Sequence, residues 1–406
     1  MKVVMLDRKG RENLGARNTC KALKYIFLDS DIEIMGVFDN DMGVPFFGEE
    51  SPEHIADRML SEQGNCDNVK KLISNILHSD MVIINGEGSM IFSEECPIYN
   101  HLLFYLAILY LGKQMGAKTA YINAVCSADA DGKNNENVVN ICKRATKYID
   151  YMIVRDEVSY DYAKKIFIDT LYIPEALFVW YKYFEKENNF LIPSGDMVYT
   201  SPEDDFEYGK FNFDVPYVLI GGYNTKDEID IDDALFKWDG IVKYIRNKGY
   251  KVYIVKTLRR KEWFLDELSK RSGVDMIKNE VNSLVMTSIL GNASLLISGR
   301  FHPSVLASLG GTPCIIFKSN CQKSKGYNYY FDFLRDKRVL NSVLNEGDYL
   351  ELLKRIDLYL EDWENDGKLR REIKKTAAAL GKQTETKYKK WLEDINSVTD
   401  NEKTMT

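Results

Sequence analysis

The sequence predicts an α/β protein of two Rossmann-like domains facing a cleft, with C-terminal amphipathic helices. Three observations carry that expectation. Short apolar runs alternate with segments of helical period through residues 1–180, the alternation resumes over 213–345, and residues 346–406 change to apolar positions three and four apart. A chain of 406 residues also exceeds what one hydrophobic core ordinarily holds, which fits two domains.

In the first series the apolar run 3–6 reads as a strand, 18–27 as a helix and 32–38 as a strand. After a loop holding Pro45 and Pro52, helical spacing over 68–77 leads into a strand at 81–85. A helix at 102–115, a strand at 118–124, a helix at 137–148 and a strand at 151–154 follow. Such βαβα order implies a parallel sheet covered on both faces. Residues 181–212, rich in Glu, Asp, Asn, Pro and aromatics without a period, read as an irregular connection. The second series runs strand 217–220, helix 233–247, strand 251–255, helix 261–269, strand 275–277 and helix 283–290, then the apolar runs 295–297 and 313–317. From Tyr349 onward, Leu350, Leu353, Ile356 and Leu360, then Leu369, Ile373, Leu380, Tyr388 and Leu392, predict two amphipathic helices.

Composition narrows the function classes. The net charge of −7 argues against a general nucleic-acid binder. Seven cysteines without a CxxC pair point to reduced thiols and a cytoplasmic protein. With four histidines, none at ligand spacing, neither a metal site nor a cofactor is expected. The amino-terminal residues are too soon acidic for a signal peptide, and no apolar run approaches the roughly 18 residues of a membrane span.

Chemistry concentrates in a few places. In Leu295-Leu296-Ile297-Ser298-Gly299-Arg300-Phe301-His302-Pro303, an apolar strand ends at Ser-Gly and then presents a cation and an imidazole. Strand alternation would place Arg300 and His302 on one side, and a helix starting around Pro303 would add its positive end, so together they suit a carboxylate or phosphate. Asn85-Gly86-Glu87-Gly88-Ser89 reads as the close of a strand, with two glycines leaving room for a ligand and for Glu87 to reach it. It lacks the third glycine of a dinucleotide loop. Asn13-Leu14-Gly15, within a loop from Arg11 to Thr19, could hold an anion or a sugar at a helix N-terminus. Gly221-Gly222 marks close backbone approach at another strand end, and Arg155 and Asp156 read as a structural pair.

Taken in order, these pieces resemble the polysaccharide pyruvyl transferase family. The matching landmarks are Asn13-Leu14-Gly15, Ile84-Asn85-Gly86-Glu87-Gly88-Ser89, Val154-Arg155-Asp156-Glu157-Val158-Ser159, and Ser298-Gly299-Arg300-Phe301-His302 followed by Gly311-Thr312-Pro313, spanning roughly residues 10 to 320. The resemblance implies a GT-B-like architecture and a transferase that builds a pyruvate ketal on a sugar of a surface polysaccharide, or its lipid-linked precursor, from phosphoenolpyruvate. It also implies that Arg300, with Ser298, Gly299, Gly221 and Gly222, lies on the donor side, and that His302 is a general acid or phosphate ligand. Glu87 would activate the acceptor hydroxyl among Asn13, Gly15, Asn85, Gly86, Gly88 and Ser89. Glu87-Gly88 with His302-Pro303 is similar as well to the paired signatures of bacterial sialyltransferases, which keeps a CMP-sugar-dependent glycosyltransferase as the alternative. A non-catalytic carbohydrate-binding protein is a third class. The basic tail, with Lys368, Arg370, Arg371, Lys374, Lys375, Lys382, Lys387, Lys389 and Lys390, could touch anionic lipid at the inner face of a membrane.

Overall fold

The computed structural model describes residues 1–7, 13–28, 30–38, 51–62, 66–92, 99–167, 169–185, 196–201, 206–222, 230–258, 262–279, 281–319, 321–331, 333, 339–341 and 343–404. Arg11, the loop around Pro45, residues 186–195 and Lys261 lie outside them. Contacts divide the chain into two compact units. The first comprises Met1–Gly10, Thr19–Ala176 and Lys382–Thr406, and the second Arg11–Asn18 and Leu177–Gly381.

The first unit follows the predicted alternation: β1 (Lys2–Leu6), α1 (Leu14–Leu28) from Thr19 onward, β2 (Glu33–Phe38), α2 (Pro52–Glu62), α3 (Asp67–Leu77), β3 (Met81–Ile91), α4 (Tyr99–Gln114), β4 (Lys118–Ser127), α5 (Glu136–Ala145), β5 (Tyr151–Val154), α6 (Glu157–Ala163) and β6 (Thr170–Tyr172). Its sheet is parallel, ordered β2-β1-β3-β4-β5-β6. Sequence order therefore reverses between β1 and β3, and the carboxyl ends of those two strands form the switch point where open α/β sheets take ligands. Leu102 through Leu109 on α4 are all buried, so this helix is sealed inside the first unit's core.

The second unit contains α7 (Tyr181–Glu185), β7 (Asp196–Ser201), β8 (Phe206–Asn212), β9 (Tyr217–Gly221), α8 (Ile231–Asn247), β10 (Lys251–Val255), α9 (Trp263–Ser272), β11 (Met276–Ile277), α10 (Ser283–Gly291), β12 (Leu295–Ser298), α11 (Phe301–Leu309), β13 (Cys314–Ile316), α12 (Lys323–Tyr330), α13 (Glu346–Asn365) and the start of α14 (Lys368–Thr404). Its parallel sheet is ordered β11-β10-β9-β12-β13, with the reversal between β9 and β12. The double glycine at 221–222 and the Ser298–Arg300 junction are thus neighbours at this sheet's own switch point.

Several expectations are corrected. β3 does not close at Asn85; it runs on to Ile91 because β4 continues to pair with it, and the Asn-Gly-Glu-Gly-Ser motif is absorbed as a register shift between Glu87 and Met90. α1 begins at Leu14, four residues early, since Asn13 caps it by accepting hydrogen bonds from the amides of Gly15 (2.9 Å) and Ala16 (3.3 Å). The segment expected to be irregular holds α7 and the antiparallel pair β7–β8, too short and polar to show a period. Helix α2 lies in what looked like loop, with Pro52 opening its first turn, where a missing amide hydrogen costs nothing. Two helices do end the chain as predicted. The apolar face of α13 (Leu352, Ile356, Leu360) joins the second core, while Thr384 and Lys387 on α14 donate to the carbonyls of Pro174 (3.2 Å) and Tyr172 (2.9 Å) in the first unit.

Helices α10 and α11 touch through glycine. A Cβ on Gly310 would sit 2.0 Å from the carbonyl oxygen of Gly291, a backbone atom that cannot step aside, whereas one on Gly291 would meet the ring edge of Phe184 at 2.5 Å. Gly310→Ala should therefore destabilise the protein by about 1–3 kcal/mol, and more than Gly291→Ala, as read by thermal denaturation.

Candidate functional site

In the second unit Ser298 ends β12 with its hydroxyl buried: it donates to the Gly222 carbonyl (3.1 Å) and accepts from the Arg300 amide (3.1 Å), while the Gly299 amide donates to the same Gly222 carbonyl (3.0 Å). The tie needs small neighbours, because a Cβ on Gly221 would lie 2.6 Å from the Ser298 hydroxyl. Arg300 is the N-cap of α11 and not a strand residue, and His302 stands in that helix's first turn. Strand alternation therefore does not put both on one side as expected: the chain has already turned into helix, which begins at Phe301, ahead of Pro303.

Arg300 is 11% exposed and its Nε donates to Glu262 Oε1 at 3.0 Å, with Glu262 1% exposed. Sequence reasoning missed Glu262, which stands alone in a charged stretch with no motif around it. Its carboxylate also accepts the amides of Thr257 (2.7 Å) and Leu258 (2.9 Å) and the Thr257 hydroxyl (3.3 Å). Gly222 is required here too, since a Cβ would meet Glu262 Oε1 at 2.0 Å. Burial pulls the Arg300 pKa below its ordinary value, and the Glu262 charge opposes that pull. The guanidinium is gripped by one edge, and no other described residue bonds its Nη atoms.

The same strand end gathers the first-loop motif. The Leu14 amide donates to the Thr257 carbonyl (3.1 Å), Asn13 bridges Leu258, and the Arg17 guanidinium donates to the Asn279 carbonyl. Gly15 lies against His302 so closely that a Cβ would be 2.2 Å from Nδ1. Asn13, Gly15, Gly221, Gly222, Ser298, Gly299, Arg300 and His302 are therefore brought into one neighbourhood, all within the second unit.

The remaining candidates form a separate cluster in the first unit. Glu87 (φ 41°) on β3 and Asn123 (φ 51°) on β4 are the non-glycine residues with left-handed backbone among those described. Asn85 Nδ2 donates to Asp7 Oδ1 (2.9 Å) and Glu87 Oε1 (3.5 Å), and Asn123 Nδ2 donates to Asn85 Oδ1 (3.3 Å) and Glu175 Oε1 (3.2 Å). Asp7, Asn123 and Glu175 carry no motif in the sequence: Asp7 closes an apolar run, Asn123 sits inside the run 120–126, and Glu175 precedes the run 176–180. Gly86 packs on Tyr121, and the Ser89 hydroxyl is buried against the Gly86 carbonyl and the Tyr121 hydroxyl. Gly88 has open space around its Cα.

Arg155 pairs with Glu175 (2.8 Å, both side chains about fully buried at 1% and 0% exposure) and not with Asp156 as expected. Adjacent residues leaving a strand diverge, so Asp156 instead caps α6 by accepting the Ser159 amide (2.8 Å) and hydroxyl (3.0 Å). Burial raises the Asp156 pKa despite those bonds. Among the described residues there is no cluster of His, Cys, Asp and Glu able to hold a metal, and no helix long and apolar enough to cross a membrane. Two cations of the basic tail are committed internally: both Nη atoms of Arg370 donate to the carbonyls of Ala293 and Gly291 (2.8 Å each), and Lys387 is bound to Tyr172.

The family model for polysaccharide pyruvyl transferases matches residues 13–320, more than half of the chain. The chain belongs to the polysaccharide pyruvyl transferase family. It is accordingly a transferase, and the match takes in both clusters described above except Asp7. Solved structures add the fold. UDP-GlcNAc 2-epimerase from Neisseria meningitidis, bound to UDP-GlcNAc, is 9% identical with a TM-score of 0.59, covering 97% of this chain and 100% of that one. The enzymes of the same name from Methanocaldococcus jannaschii (12% identity, TM-score 0.52, 89% and 93% covered) and Rickettsia bellii (12%, 0.51, 98% and 98%) are similar as well. At such identities the likeness is one of fold, the GT-B-like α/β class expected for this pyruvyl transferase family member. A search of curated proteins finds no match.

The ion pair makes a stability prediction. Glu262→Ala strands a buried guanidinium and two amides, so it should cost about 3–5 kcal/mol, while adding Arg300→Ala should recover part of that loss. Thermal denaturation of the single and double variants checks the sign of the coupling.

Proposed function

We propose that this protein transfers the pyruvyl unit of phosphoenolpyruvate to a sugar of a surface polysaccharide or its lipid-linked precursor, closing a pyruvate ketal. The observation that carries the reading is Arg300, fixed by its Nε to buried Glu262 at the start of α11. A guanidinium anchored on one edge offers the other to a carboxylate or phosphate as a rigid fork, and the helix N-terminus favours the same charge.

In this reading His302 gives a proton to the methylene carbon, C3, as an acceptor hydroxyl oxygen bonds to C2 and its proton passes to the Glu87 carboxylate. The C2=C3 π electrons form the new C3–H bond. A second hydroxyl of the sugar then attacks C2, the bond from C2 to the phosphate oxygen breaks, and phosphate leaves with the electron pair and a proton. Arg300 stabilises the charge on the departing phosphate.

Phosphoenolpyruvate should raise the melting temperature of the protein, by an amount corresponding to about 2.7 kcal/mol at one hundred times its Kd, whereas CMP and UDP should not. A shift with CMP alone would replace the reading with a CMP-sugar-dependent glycosyltransferase. His302→Ala should keep the phosphoenolpyruvate shift but lower turnover by about 10²- to 10⁴-fold. Full turnover in that folded variant would remove His302 from the chemistry.

A further inference from the structure

The polar cluster of the first unit has a direction, and the direction comes from hydrogen-bond chemistry. Glu175, locked to Arg155, can only accept at Oε1, so Asn123 must turn its NH2 toward it; the Ala176 amide, donating to Asn123 Oδ1 at 3.1 Å, enforces the same orientation. The second hydrogen of that NH2 points to Asn85 and obliges Asn85 to present its oxygen there. Asn85 is left with its own NH2 facing Asp7 and Glu87. A flipped Asn85 would set its oxygen against two carboxylates and its NH2 against another NH2.

We propose that Asn123 is a positioning residue for the acceptor base Glu87, acting through Asn85, an inference that rests on the role of Glu87 given above. Asn123 is fully buried and its amide is spent on Ala176, Glu175 and Asn85, so it does not itself touch an acceptor. Its backbone holds φ 51° at the point where the β4–β5 register shifts, and Glu87 holds φ 41° at the shift between β3 and β4. Left-handed backbone is costly for residues other than glycine, and asparagine tolerates it best. Strain kept at two adjacent strands and joined by one hydrogen-bonded line marks a device for aiming a side chain, here the Glu87 carboxylate. The line also places one NH2 group between Asp7 and Glu87, which lets two carboxylates share a site.

The test is the rate of pyruvyl transfer from phosphoenolpyruvate to a panel of p-nitrophenyl hexosides, followed by mass spectrometry on the best acceptor. Asn123→Gly keeps the backbone conformation and removes the amide. It should lower kcat by roughly 10- to 100-fold and leave the KM for phosphoenolpyruvate unchanged. In a Glu87→Gln background the same change should cost less than about twofold, because the residue it positions is already gone. Factors that multiply in the double variant, or full activity of Asn123→Gly, overturn the inference while leaving Glu87 as base. Full activity of Glu87→Gln instead overturns the base assignment and the inference with it, as does the absence of product from every hexoside. Should Asn123→Gly fail to fold, Asn85→Ala interrupts the same line one link later and must show the same loss and the same dependence on Glu87.

Discussion

Glu262 is the residue on which the second unit's site depends. Its buried carboxylate receives an arginine, two backbone amides and a hydroxyl, and without it none of those groups has a reason to converge. Burying a carboxylate costs several kcal/mol unless it is fully satisfied. Here satisfaction draws together the ends of β9, β10 and β12 and, through Thr257, the first turn of α1. Glycine at 222 is the geometric condition, since any side chain there would displace the carboxylate.

A comparable arrangement of different make-up exists in the first unit. There the buried pair is Arg155–Glu175, and Glu175 accepts from the side-chain amide of Asn123, which in turn donates to Asn85. Both clusters stand where strand order reverses, the second unit's at the carboxyl ends of β9 and β12 and the first unit's just past the end of β1, where β3 and β4 run on beyond it. The fold supplies the place, and a buried ion pair in each unit supplies the rigidity.

Much of this was legible in the sequence, because apolar periodicity reports burial directly. The runs at 3–6, 81–85, 217–220 and 295–297 are strands, and the charged helices after residue 346 show their apolar stripes plainly. What could not be read has a physical cause in each case. Asn-Gly-Glu-Gly-Ser resembles a turn, and only the pairing of β4 alongside makes it a strand with a bulge. Arg300 looked like a strand residue because no local signal marks where β12 becomes α11. The motif residues Arg300, His302, Glu87 and Asn85 stand out by type, whereas their partners Glu262, Asp7, Asn123 and Glu175 are distant in sequence and acquire meaning only through contact.

In the proposed reaction Arg300, gripped by Glu262, presents a fixed fork to the anionic donor. Calorimetric titration of phosphoenolpyruvate into the wild-type protein and into Arg300→Lys tests it most directly, since lysine keeps the charge and loses the fork. The lysine variant should bind at least about tenfold more weakly, a difference of about 1.4 kcal/mol. Equal affinity in the two proteins would contradict it.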